Sequence, residues 1–510
     1  MAYIGREIPV FDLTGGQASN RPITSLDPNQ ALELDNVHSL PGGGIKLRQG
    51  DTAVNSSAFA SGNAFTGLQY YKLANDTEFL AGVAGTVVGK MDYSTGAPDG
   101  TWDTITGSLS LTGGQNNLWH SFVANNIAYF VGGANDTAFT WTGTGNATAI
   151  GGTFPDGKFG FFHNNRIFVG NTTANPSRLA HSTLSDLEDF SGDGSGTVDV
   201  DPDDGDKLIG AAPLNTDVVL LFKRNSIHQL VTTSAPFSRF PLYRNIGLAG
   251  SKALVIHQGV AFFITPQGRM KATNGSEVID FPPDMDDVWN SIPKDRLQYV
   301  QGYFDQGKDF RHIKWIVSSS GSSSNDLCIV WDLDKKSWWR NTTGHKMNAI
   351  THDITDDIIY AGHYDGVTYQ KNIENIFTDA SESGVGIAGF WRWGWHTDQS
   401  FQTALQIQRL NVSFLGQTSG NLQVQYGFNF IKDKLTVDLD MTVAGGQFDI
   451  DTWDLAQWGG QSDDIDHLFI LGRGNAFNVK FSNAEIGQAF QLNGFTISGK
   501  AKAQKNIEVS

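Results

Sequence analysis

An internal repeat constrains this chain more than any other feature. Between about residue 65 and residue 375 one pattern recurs: an apolar strand, a polar turn, and a second strand ending in Gly or Asn. The units open at Gly67-Leu68-Gln69-Tyr70-Tyr71, Trp119-His120-Ser121-Phe122-Val123, Lys158-Phe159-Gly160-Phe161-Phe162, Lys207-Leu208-Ile209-Gly210-Ala211, Lys252-Ala253-Leu254-Val255-Ile256, Tyr299-Val300-Gln301-Gly302-Tyr303 and Met347-Asn348-Ala349-Ile350-Thr351. Successive openings lie about 39 to 52 residues apart. A period in the mid-40s with three or four short strands per unit predicts a β-propeller. Six to eight blades fit the spacing, with seven favoured. Helical patterning is confined to Pro282–Ile292, so the expected fold class is all-β.

A ring of blades has to close, or it leaves sheet edges open. The last unit is short. Gly44-Ile45-Lys46-Leu47-Arg48, followed by Thr52-Ala53-Val54, stands just before the first unit and is a candidate for the closing strand. Beyond about residue 385 the pattern changes. Phe390-Trp391-Arg392-Trp393-Gly394-Trp395 opens a new segment, and Leu422, Val424, Tyr426, Phe428 and Phe430 alternate strictly. Leu405 and Ile407, then Leu410, Val412 and Phe414, alternate with a one-residue slip that predicts a bulge. Such half-buried alternation predicts an antiparallel β-sandwich. Thr378–Gly384 reads as the linker. The expected domains are an N-terminal arm with the possible closing strand (1–55), a propeller (56–380) and a C-terminal sandwich (385–510).

The chain carries 36 Lys+Arg against 53 Asp+Glu, a net charge of −17. Without a basic surplus there are few counterions to release, so tight phosphate binding is not expected. The single cysteine, Cys328, allows no internal disulfide and reads as a buried small hydrophobe. The N-terminus lacks the basic and apolar regions of a secretory signal. No apolar run approaches the length of a membrane helix, so no membrane segment is expected.

Searches for chemistry find little. Asp186 to Asp206 holds nine carboxylates but lacks the order of an EF-hand loop, and reads as a solvated loop. Ser191–Val198 approaches the Asp-box of sialidase-like propellers, with Ser195 and Val198 where that motif has Gly and Trp. His345, His352 and His363 lack the short spacing of a zinc site. No nucleophile elbow, P-loop or dinucleotide fingerprint occurs, and Gly42-Gly43-Gly44 reads as a turn. Trp391, Trp393 and Trp395 read as one packed strand face, with sugar or partner binding as the alternative. No catalytic residue, metal site or cofactor is expected.

Three stretches, in this order, carry a resemblance. They are Asn36–Gly50 with its Pro41-Gly42-Gly43-Gly44 turn, Arg178-Leu179-Ala180-His181-Ser182 followed by Asp186–Phe190, and Val218–His228. The strands Val479-Lys480-Phe481 and Phe495-Thr496-Ile497 add to them. Together they resemble the tail hub or nozzle (tail tubular protein B-like) proteins of short-tailed bacteriophages. The resemblance implies a non-enzymatic structural virion protein, assembled in the host cytoplasm. It implies a homo-oligomeric ring, a hexamer, at the distal end of the tail tube below an adaptor ring, with fibres or spikes attached. The ring would close or narrow the channel before infection and let DNA pass on ejection without specific binding. Carboxylates facing such a channel repel phosphate, which makes Asp199, Asp201, Asp203, Asp204 and Asp206 the candidate channel-side loop. Two other readings stand beside this one. The first is a depolymerising propeller with a carboxylate pair at its centre. The second is a carbohydrate-binding propeller using exposed Trp.

Overall fold

The computed structural model describes residues 5–133, 136–397, 403–416, 420–442, 463–483 and 485–503. The fold is all-β, with one short α-helix, Asp286–Ser291, inside the stretch predicted to be helical. Parts of the expected 385–510 segment, among them 443–462 and 504–510, lie outside the described residues.

Seven antiparallel sheets follow one another along the chain. Their first strands are Phe65–Lys72, Trp119–Ala124, Gly157–His163, Leu208–Pro213, Leu254–His257, Gln301–Gln306 and Met347–Asp353. Every predicted unit opening falls on, or runs directly into, one of these strands. The local reason is visible in the turns. Asn125-Asn126 and Asn164-Asn165 both adopt left-handed backbone (φ 46° and 65°, 48° and 55°), the geometry of a type I′ hairpin. Asn tolerates that region better than most residues.

Consecutive sheets share cores. Tyr71, Trp119, Phe130 and Trp141 join the first to the second, and Tyr129, Val131, Ile167 and Val169 join the second to the third. Phe159, Phe168, Leu208 and Val219 join the third to the fourth. The seventh packs back on the first through Ala349, Tyr360, Phe65 and Leu68. Two hydrogen bonds reinforce that last contact: Asn348 Nδ2 donates to Phe65 O (2.8 Å), and the Tyr70 N–H donates to Thr351 Oγ1 (2.8 Å).

The fourth strand of the seventh sheet comes from the N-terminal arm. Gly50–Ala53 pairs antiparallel with Thr368–Ile373. The other half of the expected closing segment goes elsewhere: Ile45–Leu47 pairs with Val37–Ser39 and with Gln491–Ala503. Thr378–Gly384, expected as a linker, is docked. Asp379 is buried and takes both guanidinium nitrogens of Arg48, one at 2.9 Å. Ser381 donates its N–H and hydroxyl to Asp51 (2.9 and 2.6 Å), which also pairs with Lys371. A polar composition hid a segment held by buried charge.

Two further sheets contain the C-terminal strands. One includes Gln491–Ala503, Thr403–Leu415 and Asp463–Gly474. The other runs Ala31–Asp35, Phe390–Trp393, Phe477–Asn483, Asn421–Phe428, Ile431–Asp440. They share one core, with Leu410, Val412 and Phe495 from the first and Trp391, Val424 and Phe481 from the second. The predicted slip is present as a register shift between Ile407 and Arg409, against both neighbouring strands.

Candidate functional site

The first strands of the second to seventh sheets enclose a central cavity of about 440 Å3. Its walls combine apolar side chains, including Phe159, Val255 and Ile350, with the polar Ser251, Gln301 and Thr351. Four titratable side chains line it among the described residues: His120, Lys252, Tyr303 and His352. His352 is paired with Asp357 (2.7 Å). The Nε2 of His120 is buried without a hydrogen-bond partner. Burial, with the charge of Lys252 added, holds the His120 pKa well below the usual imidazole value. Burial alone pushes the Lys252 ammonium down to about 8. Among the described residues no carboxylate lines this cavity. Glycoside hydrolysis needs two, so the cavity cannot host the depolymerase chemistry considered from the sequence.

The acidic stretch lies elsewhere. Asp199 ends the outer strand of the third sheet, Gly196–Asp199, and takes a two-pronged contact from Arg178 (2.6 and 2.9 Å). That contact lowers its pKa, against partial burial. Asp201 pairs with Arg239 (2.9 Å). Asp204 pairs with Lys223 (2.5 Å), whose buried Nζ also donates to the carbonyls of Val200 and Asp201 (2.9 Å each). Burial works against the Asp204 charge, but Lys223 and the Asp206 N–H together outweigh it and the pKa falls. Asp206 accepts the N–H groups of Asn225 and Lys207 (2.8 Å each), and Asp203 sits exposed in a single 3-10 turn. Most of this stretch is therefore a clasp between the third and fourth sheets. None of its five aspartates lines the central cavity.

The other sequence candidates are packed. Trp391, Trp393 and Trp395 are buried, as is every described tryptophan except the half-buried Trp102. An aromatic sugar platform is thus not exposed among the described residues. Cys328 is buried and its thiol is pushed up to about 12 by burial. His345 is buried, while His363 faces Asp365 (3.1 Å). Among the described residues no group of three His, Cys, Asp or Glu is placed to hold a metal, and no helix is long and apolar enough to cross a membrane.

Sequence reasoning missed two features. The first is the buried polar seam where the sixth and seventh sheets meet the arm. Arg48 with Asp379, Lys371 with Asp51 and Lys314 with Asp305 are its ion pairs. Arg48 and Asp379 lie 331 residues apart, so no local spacing announces them. The second is a pair of sheet ends. Ile431–Asp440 and Asp463–Gly474 each terminate a strand order among the described residues. They expose Ile431 (59 %), Leu435 (42 %) and Phe469 (77 %). No family model matches the chain, and no curated protein matches it.

Proposed function

We propose that this chain is a structural protein of a short-tailed bacteriophage virion, a tail hub or nozzle subunit, and not an enzyme. In this reading the seven sheets are the blades of a closed β-propeller, with the central cavity on its axis and Gly50–Ala53 completing the last blade. The two remaining sheets form the C-terminal β-sandwich. Like subunits build a ring, a hexamer, at the distal end of the tail. A tail adaptor or tube protein sits above it, fibres or spikes dock around it, and DNA passes through on ejection. The ordered resemblance at Asn36–Gly50, Arg178–Phe190 and Val218–His228 supports the family.

The structural observation that supports an assembly role best is the pair of sheet ends, where Ile431, Leu435 and Phe469 stand exposed among charged residues. A sheet edge offers unpaired backbone to another chain, and the charges spaced along Ile431–Asp440 restrict which chain can pair there. Ring formation needs two unlike matching faces, and two ends from two different sheets supply unlike surfaces. Asp203, exposed on the clasp between the third and fourth sheets, is the member of the acidic stretch best placed to meet a channel.

The test is the mass of the native particle, by light scattering behind a sizing column, with electron micrographs of the same peak. A ring of about six subunits with an axial hole is the expected result. A monomer at high concentration that also fails to bind any tail component overturns the proposal.

A further inference from the structure

We infer that the central cavity is a binding site for a small organic acid, its carboxylate held between Lys252 and His120 and its apolar body against the inner strands. The inference is independent of ring formation and of any role in a virion.

The first support is charge. The chain as a whole carries −17, yet this cavity has a lysine and no carboxylate in its described wall. Among the described residues the Lys252 ammonium has no hydrogen bond or ion pair. The ammonium faces the cavity, and with no carboxylate in the described wall its counter-charge has to come from what fills the cavity.

Position gives the second support. The carbonyl of Lys252 accepts the Gly302 N–H (2.8 Å), which ties the start of the fifth sheet to the sixth. Gly302 permits this approach: a Cβ there would meet Val255 Cγ2 at 2.7 Å. The lysine backbone is thereby fixed beside the cavity. Across it stands His120, neutral because burial and the lysine charge both oppose its protonation. A neutral imidazole whose Nε2 has no protein partner can donate one N–H to a carboxylate oxygen.

The rest of the wall gives a third. Lys158 and Lys207, which open the third and fourth units, do not line the cavity: the Lys158 Nζ donates to the Gly133 carbonyl (3.1 Å), and Lys207 is exposed. Lys252 is the lysine of these units that reaches it. Phe159, Val255 and Ile350 give an apolar body its surface, and Ser251, Gln301 and Thr351 add polar groups around it.

The experiment uses the full chain with benzoate and 4-phenylbutyrate as probes, read by calorimetric titration and by the thermal unfolding midpoint. Inorganic phosphate and benzyl alcohol are the comparison ligands. Both acids are expected to bind saturably and raise the midpoint, while benzyl alcohol does neither. Lys252→Met is expected to weaken acid binding by about tenfold or more, while Lys207→Met, at an exposed position, changes it by less than about twofold. Lys252→Met removes an unpaired charge whose pKa the fold lowers, so its own midpoint should rise, which separates a lost site from a lost fold. The inference is overturned if neither acid binds below about 10 mM, or if Lys252→Met binds them like the parent protein. Phosphate binding as tightly as the acids overturns the apolar-body half of it.

Discussion

In the seventh sheet, Gly50–Ala53 pairs with Thr368–Ile373 and is covered in turn by Thr378–Asp379. In the two C-terminal sheets, Ile431–Asp440 and Asp463–Gly474 end the strand order with apolar side chains turned outward. One region closes its own edge with a strand brought from far along the chain and fixes it with buried ion pairs. The other ends on strands whose exposed Ile431, Leu435 and Phe469 stand among charged residues such as Lys432, Asp433, Lys434 and Asp466. The contrast teaches that edge protection in this molecule takes two forms: a distant strand sealed by buried ion pairs in one region, and in the other a charged terminal strand whose Asp433 is held by the buried Arg392 (2.9 Å) and whose Lys432 pairs with Glu33, with a few apolar side chains left outward. Self-sufficiency is thus expected of the seven-sheet region, and dependence on neighbours of the C-terminal sheets.

The largest effect should come from unsealing the closed edge. Arg48→Met leaves Asp379 buried and unpaired, and the expected loss is about 3–5 kcal/mol in urea unfolding. If Arg48→Met is neutral, the seam does not secure that edge. The next effect has the opposite sign and lies inside the same region. The Lys252 pKa is lowered to about 8, against about 10.4 when unfolded. Below pH 8 both states hold the proton and the full penalty acts. Between about pH 8 and pH 10.4 the unfolded chain binds more protons, so stability should rise with pH across that window. Lys252→Met should add about 2–3 kcal/mol at pH 7 and progressively less above pH 8.

A smaller change is expected at the clasp. Asp204→Asn leaves the buried Lys223 Nζ with carbonyl partners only, and a loss of about 1 kcal/mol is expected. Because the Asp204 pKa is lowered, its contribution is complete above the ordinary carboxylate value and fades as pH falls below about 4. A pH titration of unfolding should show the parent and Asp204→Asn converging in acid. The smallest effect on stability, within about 0.5 kcal/mol, belongs to Ile431→Asp and Phe469→Asp at the exposed ends. Their expected consequence is a lower particle mass at equal concentration. An unchanged mass alongside an intact ring would show that these edges do not carry assembly.

The seven first strands were legible because each is a short apolar run bounded by turn residues, and Asn-Asn pairs mark two of the hairpins. The bulge was legible because Ile407 and Leu410 break a strict alternation. Partner choice was not. Ile45–Leu47 and Gly50–Ala53 read as one candidate strand, and only the distant partners Gln491–Ala503 and Thr368–Ile373 separate them. Asp379 looks like a linker residue until Arg48 is beside it. The cavity was not legible: of Lys158, Lys207 and Lys252, which open successive units, only Lys252 reaches it. Nothing local told that Lys252 lacks a counter-charge, because a missing partner is a property of the surroundings.

The strand Gly50–Ala53 also sets a clock. Its ion pair joins Asp51 to Lys371, 320 residues later. A ribosome adding roughly 5–20 residues per second makes the first of these roughly 15–60 seconds before the second. Throughout that interval the arm waits while six sheets emerge, each able to form from contacts within its own stretch. Closure is then the last and least local step, and least-local steps are slow. Folding intermediates of this chain should therefore share one defect, a seventh sheet with its fourth place empty. That vacancy, offered to a neighbouring chain's arm, is where a crowded cell would produce swapped or aggregated subunits first.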